Sequence, residues 1–196
     1  MELILGVTGG SGCGKSAFCE ALAKEGAHVL DADAVAREVV LKGKPALKEL
    51  AFEFGEEILT PNGELDRKKM AGIVFADKQK RDRLNEITHK YIIEEIKAWL
   101  SANAKGVRVL DVPLLFESGL DTLCDRTVYV LADQKARLSR IVSRDGLSKE
   151  DARKRILAQP EGEFYIARAD DVIENNEGAD IVRLAKNYWL KLEKES

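Results

Sequence analysis

The chain has 196 residues, with 31 Lys+Arg against 34 Asp+Glu and a formal charge of −3. At 45 % hydrophobic and 33 % charged residues it is too apolar to be disordered, and its length suits one globular domain with room for a small appended one. The slightly acidic balance and the small aromatic set of 2 Trp, 4 Tyr and 6 Phe argue against a general nucleic-acid binder, which carries a basic surplus and stacking rings.

Taken in order, the candidate strands are Leu3 to Val7, Ala27 to Leu30, Val107 to Val112, Thr127 to Leu131 and Val172 to Ile173. Each of the first four precedes a loop and a helical pattern, as in an α/β domain with a parallel sheet. The stretch from Leu3 to Gly14 is uncharged, but it is too short to span a bilayer, and only Glu2 stands where a signal peptide would begin basic. Cys13, Cys19 and Cys124 match neither a CxxC pair nor a zinc spacing. They read as reduced thiols, and a cytoplasmic protein without membrane or nucleic-acid partners, most simply a monomer, is expected.

Directly after the first strand, Gly9-Gly10-Ser11-Gly12-Cys13-Gly14-Lys15-Ser16 fits GxxxxGK[ST] in full, and a helix from Ala17 to Lys24 follows. The glycines let successive N–H groups turn inward, and the helix N-terminus adds partial positive charge at the same point. A polyphosphate fits there, with Lys15 reaching its β- and γ-phosphates and the Ser16 hydroxyl ligating Mg²⁺. Cys13 is either a small loop residue or a reactive thiol.

The second strand ends in Leu30-Asp31-Ala32-Asp33, on the sheet edge where the phosphate loop lies. One of these carboxylates can take the proton of an acceptor hydroxyl; Asp31 can equally cap the next helix, which leaves Asp33 as the better chemical candidate.

About 75 residues without a convincing strand then separate the second and third strands, so a helical insertion is expected. Within it, Pro61-Asn62-Gly63 is a turn, Asp66 can cap a helix beginning at Arg67, and Leu84, Ile87, Tyr91, Ile92, Ile96 and Trp99 form one apolar stripe on a long helix through Leu100. That stripe reads as core packing.

The third strand ends at Asp111, a Walker-B-like carboxylate suited to a Mg²⁺ water or to Ser16, although Arg108 interrupts the apolar run. Beyond the fourth strand, Arg137, Arg140 and Arg144 are spaced to share one helix face. They form either a solvated face or a lid whose guanidinium groups hold phosphate oxygens. Ser148 to Asp151 resembles a capping box with Asp in place of Glu.

The chain contains neither DxxG after a switch strand nor NKxD, which sets a GTPase aside, and it is short for a remodelling ATPase. A small kinase remains.

Together these residues resemble the dephospho-coenzyme A kinase family, from about Leu5 to about Gly178. The matching segments are Gly6-Val7-Thr8-Gly9-Gly10, Leu30 to Asp33, Phe54-Gly55, Gly63 to Arg67, Leu84-Asn85 with His89, Pro113-Leu114-Leu115-Phe116-Glu117, Arg144 to Ser148, Gln159, and Ala169-Asp170 before Val172 to Asn175. The resemblance implies a P-loop kinase fold: a five-stranded parallel sheet with flanking helices, a helical acceptor-binding insertion over 34–100, an arginine-bearing lid over 133–169, and a core of 1–33, 101–132 and 170–196. It implies transfer of the γ-phosphate of ATP, with Mg²⁺, to the 3′-hydroxyl of dephospho-coenzyme A. By the same resemblance Gly9 to Ala17 bind ATP phosphates, Lys15 and Arg140 act on the moving phosphoryl, Asp33 activates the hydroxyl, and Arg140 and Arg144 neutralise phosphate. Thr8, Asp31, Asp33, His89 and Pro113 to Glu117 belong to the acceptor side, and Ser16 and Asp111 to the metal.

The chain departs from the family pattern at three places. Lys90 follows His89 where proline is common, Arg137 stands where a glutamine is usual, and the segment 159–166 lacks the basic residue expected before Ala169-Asp170 until Arg168. The readings kept beside this one are another small-molecule or nucleoside monophosphate kinase, and a nucleotide sensor without catalysis.

Overall fold

A computed structural model describes residues 2–160 and 162–195; Glu161, part of the atypical segment, lies outside the described residues. In chain order the first elements are β1 (Leu3–Thr8), α1 (Lys15–Glu25), β2 (His28–Asp31), α2 (Ala32–Glu38), α3 (Pro45–Phe54), α4 (Arg67–Phe75) and α5 (Lys78–Ala102). They are followed by β3 (Val107–Asp111), β4 (Arg126–Leu131), α6 (Gln134–Asp145), α7 (Lys149–Leu157), α8 (Gly162–Ile166), β5 (Asp171–Glu174) and α9 (Ile181–Lys194). The residues group into two units, Met1–Asp31 with Asn103–Ser196, and Ala32–Ala102.

The first unit holds one parallel sheet in the order β2-β3-β1-β4-β5. Side chains alternate across it. Leu5, Val7, Val128 and Val130 join Phe18 and Leu22 of α1 and Tyr188 of α9 in one core, with α1 packed on α9. On the other face, Gly6 is covered by Leu115 and Cys124, and Tyr129 stacks on Tyr165 of α8. Phe18, Leu5 and Leu22 are fully buried, each contributing roughly 1.5–3 kcal/mol relative to exposure.

β2 starts one residue later than the apolar run, because the Ala27 N–H is taken by the Leu22 carbonyl where α1 closes. It runs on to Asp31, which sits in register with Asp111.

In the second unit α2, α3 and α4 each pack on α5. Ile87 and Ile96 of the apolar stripe are buried, and Tyr91 turns its hydroxyl to Glu49 at 2.6 Å. The stripe is therefore core, as expected. Asp66 caps α4 by accepting from the Lys68 and Lys69 amides. The capping box at α7 is only half formed: Ser148 Oγ accepts from the Asp151 amide, but the Asp151 carboxylate accepts from the Ser148 hydroxyl, not from its main chain. The shorter Asp side chain is satisfied by that nearer donor. Among the described residues no helix is long and apolar enough to cross a membrane.

Candidate active site

The loop between β1 and α1 is shaped by backbone conformation and close approach. Gly14, the N-cap of α1, has φ +95°, a left-handed value costly for any residue with a Cβ, and no side chain caps the helix there. The first N–H groups of α1 thus face outward with the positive end of the helix dipole, the arrangement that binds phosphate. Gly12 has φ +78°, and a Cβ on it would lie 2.6 Å from the Arg137 carbonyl.

Lys15 leads α1, and its ammonium rests on the Asp111 carboxylate at the end of β3; the two side chains are 13 % and 8 % exposed. Asp111 is held in place by its register with Val7 of β1 and Asp31 of β2. Ser16 and Ala17 lie exposed on the first turn of α1. The hydroxyl of Ser16 and the carboxylate of Asp111 are hard oxygen donors, which suits Mg²⁺. Among the described residues no group of three or more His, Cys, Asp or Glu could hold a metal alone.

From α6, Arg140 donates to the Gly12 and Cys13 carbonyls at 3.2 and 3.3 Å and to the Asn175 carbonyl at 3.0 Å. Arg137, one turn earlier, reaches Ser11 and Gln159. Arg144 does not join them. It forks onto Asp145 at 2.7 and 3.0 Å, and hydrogen bonding from Arg144, with added attraction from Arg155, holds the Asp145 carboxyl below its ordinary range.

Buried Asn175 donates from Nδ2 to the Cys13 carbonyl at 2.7 Å. Its role was not legible in the sequence, where it is only one residue of a matching string. Cys13 is 2 % exposed, and burial pushes its thiol up although Lys15, Arg137 and Arg140 pull the other way. It is a packed loop residue.

The segment from Pro113 to Gly119 is a run of turns after β3. Thr8, expected toward the acceptor, is fully buried and donates to the Pro113 carbonyl at 3.0 Å, fastening the start of that run to β1. Leu115, also expected to line the acceptor side, is instead a fully buried core side chain against Gly6. Its apolar bulk fills the space that Gly6 leaves open. Leu114 is 54 % exposed, and Glu117 accepts from the Tyr165 hydroxyl at 2.6 Å. Tyr165 stacks on Tyr129 with centroids 4.9 Å apart, and burial together with Glu117 raises its pKa, so it donates across the physiological range. Asp31 is exposed at the end of β2. In the second unit, Asp33 is exposed in the first turn of α2, and His89 is half-buried on α5.

A family model described as "Dephospho-CoA kinase" matches residues 3–180. A Fusobacterium nucleatum protein named dephospho-CoA kinase is 42 % identical over 174 residues, covering 89 % of this chain and 90 % of its own. The solved dephospho-CoA kinase from Campylobacter jejuni superposes with a TM-score of 0.72 at 29 % identity, covering 100 % of this chain and 99 % of its own. Shikimate kinase from Acinetobacter baumannii, at 17 % identity and a TM-score of 0.59 over 100 % and 96 % of the two chains, shares the fold.

Proposed function

The chain belongs to the dephospho-CoA kinase family, and on that premise we propose that it moves the γ-phosphate of ATP to the ribose 3′-hydroxyl of dephospho-coenzyme A, giving coenzyme A and ADP. The observation that carries this reading is the uncapped helix N-terminus with Lys15 on Asp111 and Arg140 on the loop. Cations, the helix dipole and the uncapped N–H groups of α1 lie together at the end of β1.

In this reading the N–H groups of Gly12 to Ala17 hold the phosphates of ATP, and Lys15 exchanges the Asp111 carboxylate for β- and γ-phosphate oxygens. Arg140 lies against the loop and spreads charge from the moving phosphoryl. The segment 133–169, which carries Arg140 and Arg144, acts as the lid, with Arg144 leaving Asp145 for phosphate. Asp33 accepts the proton of the 3′-hydroxyl as the bond to phosphorus forms and the bond to the ADP oxygen breaks. Ser16 and Asp111 would hold Mg²⁺, which neutralises charge on the β- and γ-oxygens when bound. The insertion 34–100, with His89, and Pro113, Leu114, Phe116 and Glu117 of the turn segment after β3 take the acceptor. A cytoplasmic monomer using small-molecule substrates completes the reading.

Release of ADP with a panel of acceptors tests it. Dephospho-coenzyme A should stimulate release far above nucleoside monophosphates and water. Equal release with a nucleoside monophosphate would replace this acceptor, and no release with any acceptor would favour a sensor.

A further inference from the structure

The α6–α7 segment places two side chains on the first half of the phosphate loop, away from the residues assigned to chemistry. Arg137 donates from Nε to the Ser11 carbonyl at 2.9 Å and from Nη2 to Gln159 Oε1 at 2.6 Å. The Ser11 N–H donates to that same Oε1 at 2.9 Å, and Gln159 Nε2 lies 3.4 Å from Ser11 Oγ. Three residues close a ring. Both main-chain polar groups of Ser11 are thereby satisfied by side chains 126 and 148 positions away.

The fit depends on chemical type. A guanidinium is a planar fork with donors at fixed angles, so it can hold a carbonyl and an amide oxygen together, whereas an ammonium offers one compact point charge. An amide oxygen has two lone pairs and can accept from Arg137 and Ser11 at once. The loop is built around this grip: a Cβ on Gly10 would lie 2.6 Å from Arg137 Nη2. Gln159 is itself fixed, because its N–H donates to the Ile156 carbonyl at 3.2 Å just beyond α7.

We propose that Arg137 and Gln159 are positioning residues of the phosphate loop, holding Ser11 by both main-chain groups so that the protein itself sets the curvature of Gly10 to Gly12. The inference rests on the reading of this loop as the site of the nucleotide phosphates. Its energetic consequence is that ordering the loop is not charged against nucleotide binding. Neither residue touches a reacting atom in this account, so the effect belongs in ATP affinity more than in turnover.

ATP is titrated calorimetrically, without acceptor, into wild type, Arg137→Ala, Arg137→Lys, Gln159→Leu and the Arg137→Ala/Gln159→Leu double variant. Melting temperatures are read in parallel, and KM for ATP and kcat are measured with acceptor. Each single variant should weaken ATP binding about tenfold, as loss of hydrogen bonds to a charged donor does, and should raise KM for ATP more than it lowers kcat. The double variant should be little worse than either single one, because a ring opens only once. Arg137→Lys with wild-type affinity would overturn the proposal by showing that charge alone suffices. Additive losses in the double variant, or single variants that bind ATP like wild type, would overturn it as well. Wild-type protein that binds no ATP would remove the phosphate-site reading itself, a failure distinct from these.

Discussion

The ammonium of Lys15 sits on the carboxylate of Asp111, with both side chains nearly withdrawn from solvent. The pair spans the two strand ends that define the candidate site, since Lys15 follows the loop after β1 and Asp111 ends β3. Its members have separate tasks in the proposed reaction, so replacing them should separate two readouts. Lys15→Ala should lower kcat/KM by roughly 10²–10³, the usual cost of removing a donor from developing charge. Asp111→Asn should instead raise the Mg²⁺ concentration needed for half-maximal turnover. A magnesium titration of ADP release, run on both variants, checks the division.

Asp33 stands two residues past the end of β2, exposed in the first turn of α2. As the proton acceptor it should matter to turnover and little to nucleotide affinity. Asp33→Asn is expected to reduce kcat by about 10²–10⁴, the range for general base catalysis, with ATP binding within a few-fold of wild type. Parallel turnover and nucleotide-titration measurements decide it, and a variant turning over near the wild-type rate would remove Asp33 from this role.

The Tyr165 hydroxyl holds Glu117 where the 159–166 segment lacks the basic residue that the family pattern leads one to expect. A neutral phenol in that place leaves the charge of Glu117 intact while fixing its direction. Tyr165→Phe should raise KM for the acceptor about two- to tenfold, the range for one hydrogen bond, without a matching change in KM for ATP. Initial rates with each substrate varied in turn measure both.

Stability at low pH should depend on Asp171, which accepts from Tyr188 at 2.8 Å and Lys191 at 2.6 Å and pairs with Arg126, tying α9 to the sheet edge. Burial raises its pKa, but the bonds from Lys191, Arg126 and Tyr188 together outweigh it, so the net shift is downward. A carboxyl lowered in the folded state adds stability that is fully present above its unfolded value, near about 3.9, and is lost as pH falls through the folded one. Asp171→Ala should cost on the order of 3 kcal/mol at neutral pH, the scale for breaking a partly buried ion pair, and less in acid below the folded value. Urea unfolding at the two pH values reads the difference.

The parallel sheet and the phosphate loop were legible because both are local: apolar runs, glycine spacing and a Lys-Ser pair are all read over a few residues. The core stripe on α5 and the Asp66 cap were legible for the same reason. Contacts over long separations were not. The three arginines of α6 share a helix face by spacing, yet only Arg137 and Arg140 reach the loop, while Arg144 is drawn off by its own neighbour Asp145. Nothing in the sequence shows that Gln159 would meet Ser11, or that Asn175 would hold the Cys13 carbonyl. Leu115 lies in a motif expected at the acceptor, but alternation along β1 leaves a gap at Gly6 that its side chain fills.

The most direct test of the account follows the phosphate itself. Purified chain is incubated with ATP, Mg²⁺ and dephospho-coenzyme A, and the products are read by phosphorus NMR. The account predicts a new 3′-phosphomonoester signal that grows one for one with ADP, at a rate abolished by omitting the acceptor and strongly reduced in Asp33→Asn. ADP appearing without that signal, or at the same rate when dephospho-coenzyme A is left out, would contradict it.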